Sequence, residues 1–538
     1  MDERDERTPL LRQQATNTTT TTTRDSDRDV LVDTETAGQS AANSPRKALF
    51  IIILFIIILF VFDFADSMFQ APIVRIYEDI ICRNYFDAHQ PELNHSGRQI
   101  PEEQCKIPPV QKELALIRGM EPVFDAIPSL LVAIPLGMIA DNPKIGRKPV
   151  IVIALLGSLL QVLWVTIVTR FSDLFPLRCV WLGSLFLLGG GTNIINGLLY
   201  TMIIDITAPA ERASTFFTLQ MAGSWLPVLV APPITTSLME NTGNWVPVSI
   251  GLMLSFIGLI ILLFVPETIN FHKPSPASSN HESILQSPTT SESTVDESSL
   301  PTSEKFWPTL KSKLYEFVES SSFVFRSPHL IILICSLMMH TICVIRGKET
   351  VLYYASARYG ITIAKANLLN TINAAVSIAI LFFLPFISTF LTSSIGVSSQ
   401  RKDLLIAQAS VTLIAIGWYA VGLAPTLPLA ILGMVGYTLG SGFSGSMRSL
   451  AASYVESHHQ ARLSSFIAIM MTVGNFLGSP MLAWLYSLGI SSGDPHWYGL
   501  PFIGLGVVFT IIWSALCFVV KLPESSESAI LDENASEY

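Results

Sequence analysis

ALFIIILFIIILFVFDFADSM, residues 48–68, places fifteen uncharged residues ahead of its first acid, Asp63. A bilayer core of about 30 Å takes roughly 20 apolar helical residues to cross, and this run supplies them. Eleven comparable runs follow, at about 121–140, 149–169, 177–204, 214–238, 245–265, 328–346, 366–390, 404–423, 427–447, 463–487 and 499–520. Half of the 538 residues are hydrophobic and 14% are charged, so a water-soluble globule is excluded. The expected fold is an all-α membrane protein of twelve transmembrane helices in two pseudo-repeated halves of six.

The domain boundaries follow from composition. Residues 1–47 read as a disordered cytoplasmic tail, 48–265 as the N-terminal half, 266–327 as a cytoplasmic linker, 328–520 as the C-terminal half and 521–538 as a second tail. Ser, Thr, Pro and acids dominate 275–304, whereas Phe306, Leu310, Leu314, Phe317 and Val318 recur at helical spacing, as an amphipathic helix on the inner membrane surface or an extension of the seventh span would. The polar residues 1–47 lack the pattern of a signal peptide, and the first run lacks a cleavage site, so it is expected to stay as the first helix. With the N-terminus inside, Lys and Arg are more numerous on inner segments than on outer ones. Much of the net charge of −9 comes from the tails and linker and implies no acidic partner, and nucleic acid is not expected to bind.

Polar residues inside spans should face the bundle interior. Asp63, Asp66, Ser67 and Gln70 share one helix face, as do Arg118, Glu121, Asp125 and Ser129. Asn193, Asn196 and Tyr200, then Asn367 and Asn370, then Tyr437, Ser441 and Arg448, then Thr472 and Asn475 mark further spans. The third, sixth, ninth and twelfth spans carry no charge in their interiors and only isolated polar residues such as Gln161 and Gln408, so they are expected to face lipid. Arg118, Asn193, Asn196, Arg346, Tyr353, Asn370, Tyr437 and Asn475 are the candidates for lining a cargo cavity. Asp63 stands about 22 Å along its helix from Ala48. A carboxyl at such depth, or Asp125, could load and release a proton; a static pair with Arg118 or Arg346 accounts for the same residues. Arg346-Gly347-Lys348-Glu349 reads as a broken helix end at the cavity or as a plain outer loop.

Cys82 and Cys105 both fall in the first outer loop, where a disulfide is plausible; Cys179, Cys335, Cys343 and Cys517 read as small hydrophobes. Asn94-His95-Ser96 in the same loop is a glycosylation candidate. Metal-ligand clusters, nucleophile elbows and phosphate loops are not evident, so neither an enzyme nor a cofactor is expected.

The two halves echo one another: Arg212-Ala213-Ser214-Thr215-Phe216 and Arg462-Leu463-Ser464-Ser465-Phe466 follow the fourth and tenth spans, and Gly190 and Gly440 stand at the same offset. Repeated units of this kind are common in secondary transporters. The loop GMIADNPKIGRK, residues 137–148, resembles the signature loop of the major facilitator superfamily, with two extra residues between Asp141 and Gly146 and with Asn142 where an Arg is usual. That resemblance implies that Gly137, Asp141, Lys144, Gly146, Arg147 and Lys148 form a gating loop, with Asp205 and Arg212 beside it. DITAPAERA, residues 205–213, is similar to the corresponding stretch of tetracycline/proton antiporters and proton-coupled folate transporters, and Pro266-Glu267-Thr268 is common in the superfamily. The stretch from Asp63 through Pro72, Arg75, Glu78, Cys82-Arg83 and Cys105-Lys106 resembles fungal facilitators, many associated with secondary-metabolite export. The Gly-Pro then Gly-Gly antiporter signature is missing from the fifth span, which has Gly223, Pro227, Pro232 and Pro233.

These likenesses imply a monomeric carrier working by alternating access, with a small organic molecule, protons and the lipid bilayer as its partners. Proton-driven export of an amphipathic compound is the first expectation. Uptake of an anionic nutrient held by Arg118 or Arg346 is the second, and a non-transporting receptor the third. Glu6 with Leu10-Leu11 matches a sorting signal for vacuole or endosome, although the plasma membrane is the first choice.

Overall fold

The computed structural model describes residues 26–89, 100–140, 142, 144–207, 212–268, 324, 327–393, 398–455 and 460–520. The chain separates into two units, Met1–Ile51 and Ile52–Tyr538. The second holds every helix except the start of the first. The amphipathic stretch 306–318, Asn94, Asp141 and the Glu6 signal lie outside the described residues, as do the side chains of Asn193 and Arg212.

Helices account for nearly everything described, and no strand occurs among those residues. In the N-terminal half α1 is Ser26–His89, α2 Pro108–Ala140, α3 Arg147–Arg170, α4 Thr192–Ile206, α5 Arg212–Leu219, α6 Leu226–Thr242 and α7 Trp245–Leu263. A 3-10 segment, Leu177–Gly189, leads into α4, and a π-helical segment, Gln220–Trp225, joins α5 to α6. In the C-terminal half α8 is Pro328–Thr341, α9 Lys348–Tyr359, α10 Ile363–Ser393, α11 Ser399–Leu423, α12 Leu427–Leu439, α13 Phe443–Ser453, α14 Gln460–Ser491 and α15 Leu500–Phe518. A second π segment, Ile342–Gly347, joins α8 to α9, and a 3-10 turn joins α12 to α13. Counting each joined pair as one passage gives six per half.

Ten of these passages are long and apolar enough to cross a bilayer by length and composition. The other two, α2 and the α5–α6 pair, are the polar ones. Helix α2 carries Arg118, Glu121 and Asp125 with three internal prolines, and α6 carries Pro232 and Pro233. A helix that lines a wet cavity need not be apolar all round.

The first helix exceeds its expected bounds at both ends. It begins at Ser26, within a tail expected to be disordered, and no proline occurs between Ser26 and Pro45. It also runs on from residue 68 to His89, because Ile73, Val74, Ile76, Tyr77 and Ile80 bury a face against protein rather than lipid. The expected break at Gly347 is absent too: α9 continues the helix to Tyr359. A Cβ on Gly347 would sit 2.8 Å from the Trp418 ring, so this glycine serves close packing.

Within the second unit the halves are not separate bodies. Helix α2 packs along α14 and α6 along α10. The buried hydrophobic residues of both halves form one core, and in its C-terminal part the fully buried Trp418 stacks between Tyr437 and Phe502, with ring centroids at 4.2 and 5.3 Å. Gly189 and Gly190 bring the fourth passage against α3, where Ile153 O and Ala154 Cα leave no room for a Cβ.

Candidate functional site

Two neighbouring cavities lie between the halves, of ≈ 320 and ≈ 640 Å³, and share Asp66, Gln70, Arg118, Ile345 and Glu349 in their walls. With five wall residues in common, they are two lobes of one central cavity. Both π segments border it, Gln220, Ser224 and Trp225 from one and Val344, Ile345 and Arg346 from the other. A π turn widens the helix and re-aims the side chains after it, which is why such segments collect at functional sites.

Each half contributes one Arg-x-x-Glu pair to the centre. Arg118 Nη1 donates to Glu121 Oε2 at 2.6 Å, and Tyr77 Oη donates to Glu121 Oε1 at 2.7 Å. Across the cavity Arg346 Nη1 donates to Glu349 Oε2 at 2.8 Å and its Nε to Asn475 Oδ1 at 3.0 Å. Both guanidiniums are thus neutralised by the protein. Three further carboxylates are not: among the described residues Asp63, Asp66 and Asp125 have no basic side chain within ion-pair distance. Asp66 accepts from Gln70 at 2.6 Å, Asp125 accepts from Gln161 at 2.7 Å, and Asp63 bonds Ser224. Lys348, in the smaller lobe, points its ammonium over the Trp225 ring of the other half at 5.4 Å.

Of the eight residues expected to line the cavity, Arg118, Arg346, Asn370 and Asn475 do so. Asn196 lines an adjoining apolar pocket of ≈ 290 Å³ that also reaches Asp63. Tyr437 and Tyr353 are corrections. Tyr437 is buried against Trp418, and Tyr353 lies edge-on to Tyr486 at 5.0 Å with its hydroxyl on Thr350. Their rings are large apolar bodies, and the helix faces that carry them turn into the hydrophobic core. Gln161 corrects the expectation for the third span, since it turns inward to Asp125 instead of facing lipid. Lys348 and Glu349 line the cavity, as one of the two readings of residues 346–349 has them, and Gln220 and Trp225 line it without having been among the cavity candidates.

At the end of the N-terminal half that carries the 144–148 turn, Arg147 pairs with Asp205, whose Oδ2 also accepts from Thr268 Oγ1 at 3.3 Å. Glu267 accepts from the Lys148 backbone N–H at 2.9 Å, and Lys148 Nζ reaches Leu263 O at 2.7 Å. Gly146 has φ +84°, and a Cβ there would come within 2.7 Å of the Glu267 carboxyl carbon. The loop thereby ties together α3, α4 and the end of α7. Lys144 is exposed and Gly137 has open space around it, so neither joins this network. At the opposite end of α2, Cys82 and Cys105 are joined in a disulfide with Cα atoms 5.4 Å apart.

Two six-passage halves, nearly all helical among the described residues, around a central polar cavity have the form of a membrane carrier. The sequence matches the Major Facilitator Superfamily over residues 123–479, and the chain belongs to that family. It is 30% identical over 489 residues, 90% of each chain, to the MFS efflux pump atnC of Emericella nidulans. It is 29% identical over 465 residues, 85% of each chain, to the efflux pump ustT of Aspergillus flavus. Among solved structures it resembles the nucleoside transporter NupG, with a TM-score of 0.56 and 16% identity over 88% of this chain and 100% of that one. A D-xylose–proton symporter matches with a TM-score of 0.54 and 13% identity, covering 88% and 98%. At such identities the structures speak for the fold alone. The protein is a multi-pass membrane transporter, not an enzyme.

Proposed function

We propose that this transporter exports a small amphipathic organic molecule by alternating access, driven by proton entry through Asp63 and Asp125. The observation that carries the reading is the pairing in the central cavity. Arg118 and Arg346 are already matched by Glu121 and Glu349, whereas Asp63, Asp66 and Asp125 face the cavity without an ion-pair partner among the described residues. A carboxylate in a low-dielectric site without a cation can be neutralised by a proton, and protonation then changes the charge of the cavity as the halves rearrange. The mixed walls, with Phe69, Ile73, Leu130 and Phe476 beside Gln70, Thr472 and Asn475, suit an amphipathic cargo. Export is favoured by the two relatives that are efflux pumps.

Uptake of an anion at Arg118 or Arg346 is less well supported, since such a ligand would have to displace a glutamate. We further propose that the carrier works as a monomer in the plasma membrane, with the gating loop of Gly146, Arg147, Lys148 and Asp205 setting the inner ends of the helices.

The test compares cells with and without the protein for accumulation of a panel of labelled amphipathic compounds, with and without a protonophore. Lower accumulation on expression, abolished by the protonophore, is expected. Higher accumulation at acidic outside pH would replace export by uptake, and no change for any compound would remove the proposed direction of transport.

A further inference from the structure

Four hydrogen bonds join described residues of the two halves, and all lie toward the end that carries the loop before α2 and the turn between α9 and α10. Thr236 Oγ1 donates to Ala364 O at 2.7 Å and Asn367 Nδ2 to Pro232 O at 3.3 Å. The other two converge on one atom. Glu102 Oε1, from the N-terminal half, accepts the backbone N–H of Ile363 at 2.7 Å and lies 3.5 Å from the Ser356 hydroxyl. That hydroxyl's closer acceptor is Ile361 O at 2.6 Å, so the Ile363 N–H is the bond that counts.

Ile363 opens α10, and its amide is one of the donors that a helix start leaves without an intrahelical partner. Thr362 caps the same turn by accepting from the Lys365 N–H at 3.2 Å. A carboxylate beside it also meets the positive end of the helix dipole. Glu102 therefore caps a helix of the opposite half.

Its position is set from its own half. Glu102 begins the 3-10 turn Glu102–Cys105, and the disulfide from Cys105 to Cys82 anchors that turn to α1. Lys106 Nζ reaches Glu102 Oε1 at 2.9 Å and Arg75 Nε reaches Glu102 Oε2 at 3.2 Å, while the fully buried Glu78 holds both cations, at 2.7 and 3.2 Å, and takes the Gln111 amide at 2.6 Å. Two acids and two bases close this cluster without a net charge. If the halves parted here, Glu102 would lose the Ile363 N–H yet keep Arg75 and Lys106. The contact can thus open without stranding an unpaired charge.

We propose that Glu102 is the latch of the outer gate, a positioning residue that the disulfide-anchored first loop of one half sets on the α10 start of the other. The latch goes beyond the proposed export function and depends on neither cargo nor direction. It holds the outer ends together while the cavity faces inward, and its release accompanies outward opening.

The experiment measures how fast a membrane-impermeant maleimide, added outside, labels a reporter at Leu352→Cys. Leu352 is buried in the smaller lobe of the cavity, and the reporter background has Cys179, Cys335, Cys343 and Cys517 replaced by Ser. Glu102→Ala removes the acceptor. Ile363→Pro removes the donor at a first helical position, where proline is tolerated. Each should raise the labelling rate at least about tenfold, the factor expected for one charge-assisted hydrogen bond. The double variant should add little to either single change, because both delete one interaction. Unchanged labelling in both single variants at normal surface expression, or effects that add in the double variant, would overturn the proposal.

Discussion

At the residue scale the central pairs set the energetics. Arg118 and Glu121 are each 18% exposed at the side chain and share one ion pair. Removing one partner of a buried pair leaves the other charge uncompensated, at a cost of about 3–5 kcal/mol, while replacing both with apolar residues is often neutral. Arg118→Met should therefore lower the melting temperature in detergent markedly, and Arg118→Met with Glu121→Met should recover most of the loss. Equal destabilisation by the single and double changes would mean that the pair does not act as a unit. Gly347 carries a second prediction, because a Cβ there meets Trp418 and overpacking of a filled core costs about 1–3 kcal/mol. Gly347→Val should reduce thermal stability by that order, and an unchanged melt would show that Trp418 moves freely aside.

Among elements, the loop before α3 offers a prediction about rate. Glu267 accepts the Lys148 N–H and crowds Gly146, so it holds the loop against the end of α7. Glu267→Ala should slow turnover by about tenfold, the equivalent of about 1.4 kcal/mol in the barrier, and leave the half-saturating cargo concentration unchanged. A rise in that concentration at constant turnover would place Glu267 in cargo binding instead. The helical passages were legible in the sequence because the bilayer dictates both their length and their composition. The extension of α1 to His89 was not, since Arg75 and Glu78 break the apolar run and only the fold shows that they neutralise one another with Glu102 and Lys106. The π segments left no mark in periodicity. They insert one residue per turn over six positions, too short a stretch to shift a polar stripe visibly.

For the whole molecule, part of the site was legible and part was not. Asp63 and Asp125 stand out as ionisable groups inside apolar runs and Arg118 and Arg346 as ones at the ends of such runs, where each demands a partner or a cavity. Which of them are partnered depends on contacts between helices remote in sequence, such as Asn475 on Arg346 and Gln161 on Asp125. Tyr437 misled because a phenol hydroxyl counts as polar in a stripe although the ring packs as core. In the proposed cycle, unpaired cavity carboxylates exchange protons while the halves alternate. The most direct test of that coupling is reconstitution of the purified protein in vesicles with a compound found by the accumulation screen, following cargo movement under an imposed pH gradient. Cargo should move against the proton flow in the native protein, and Asp63→Asn or Asp125→Asn should abolish the dependence on the gradient while binding persists. Transport that is indifferent to the gradient in the native protein, or equally gradient-driven in both variants, would contradict proton coupling through these carboxylates.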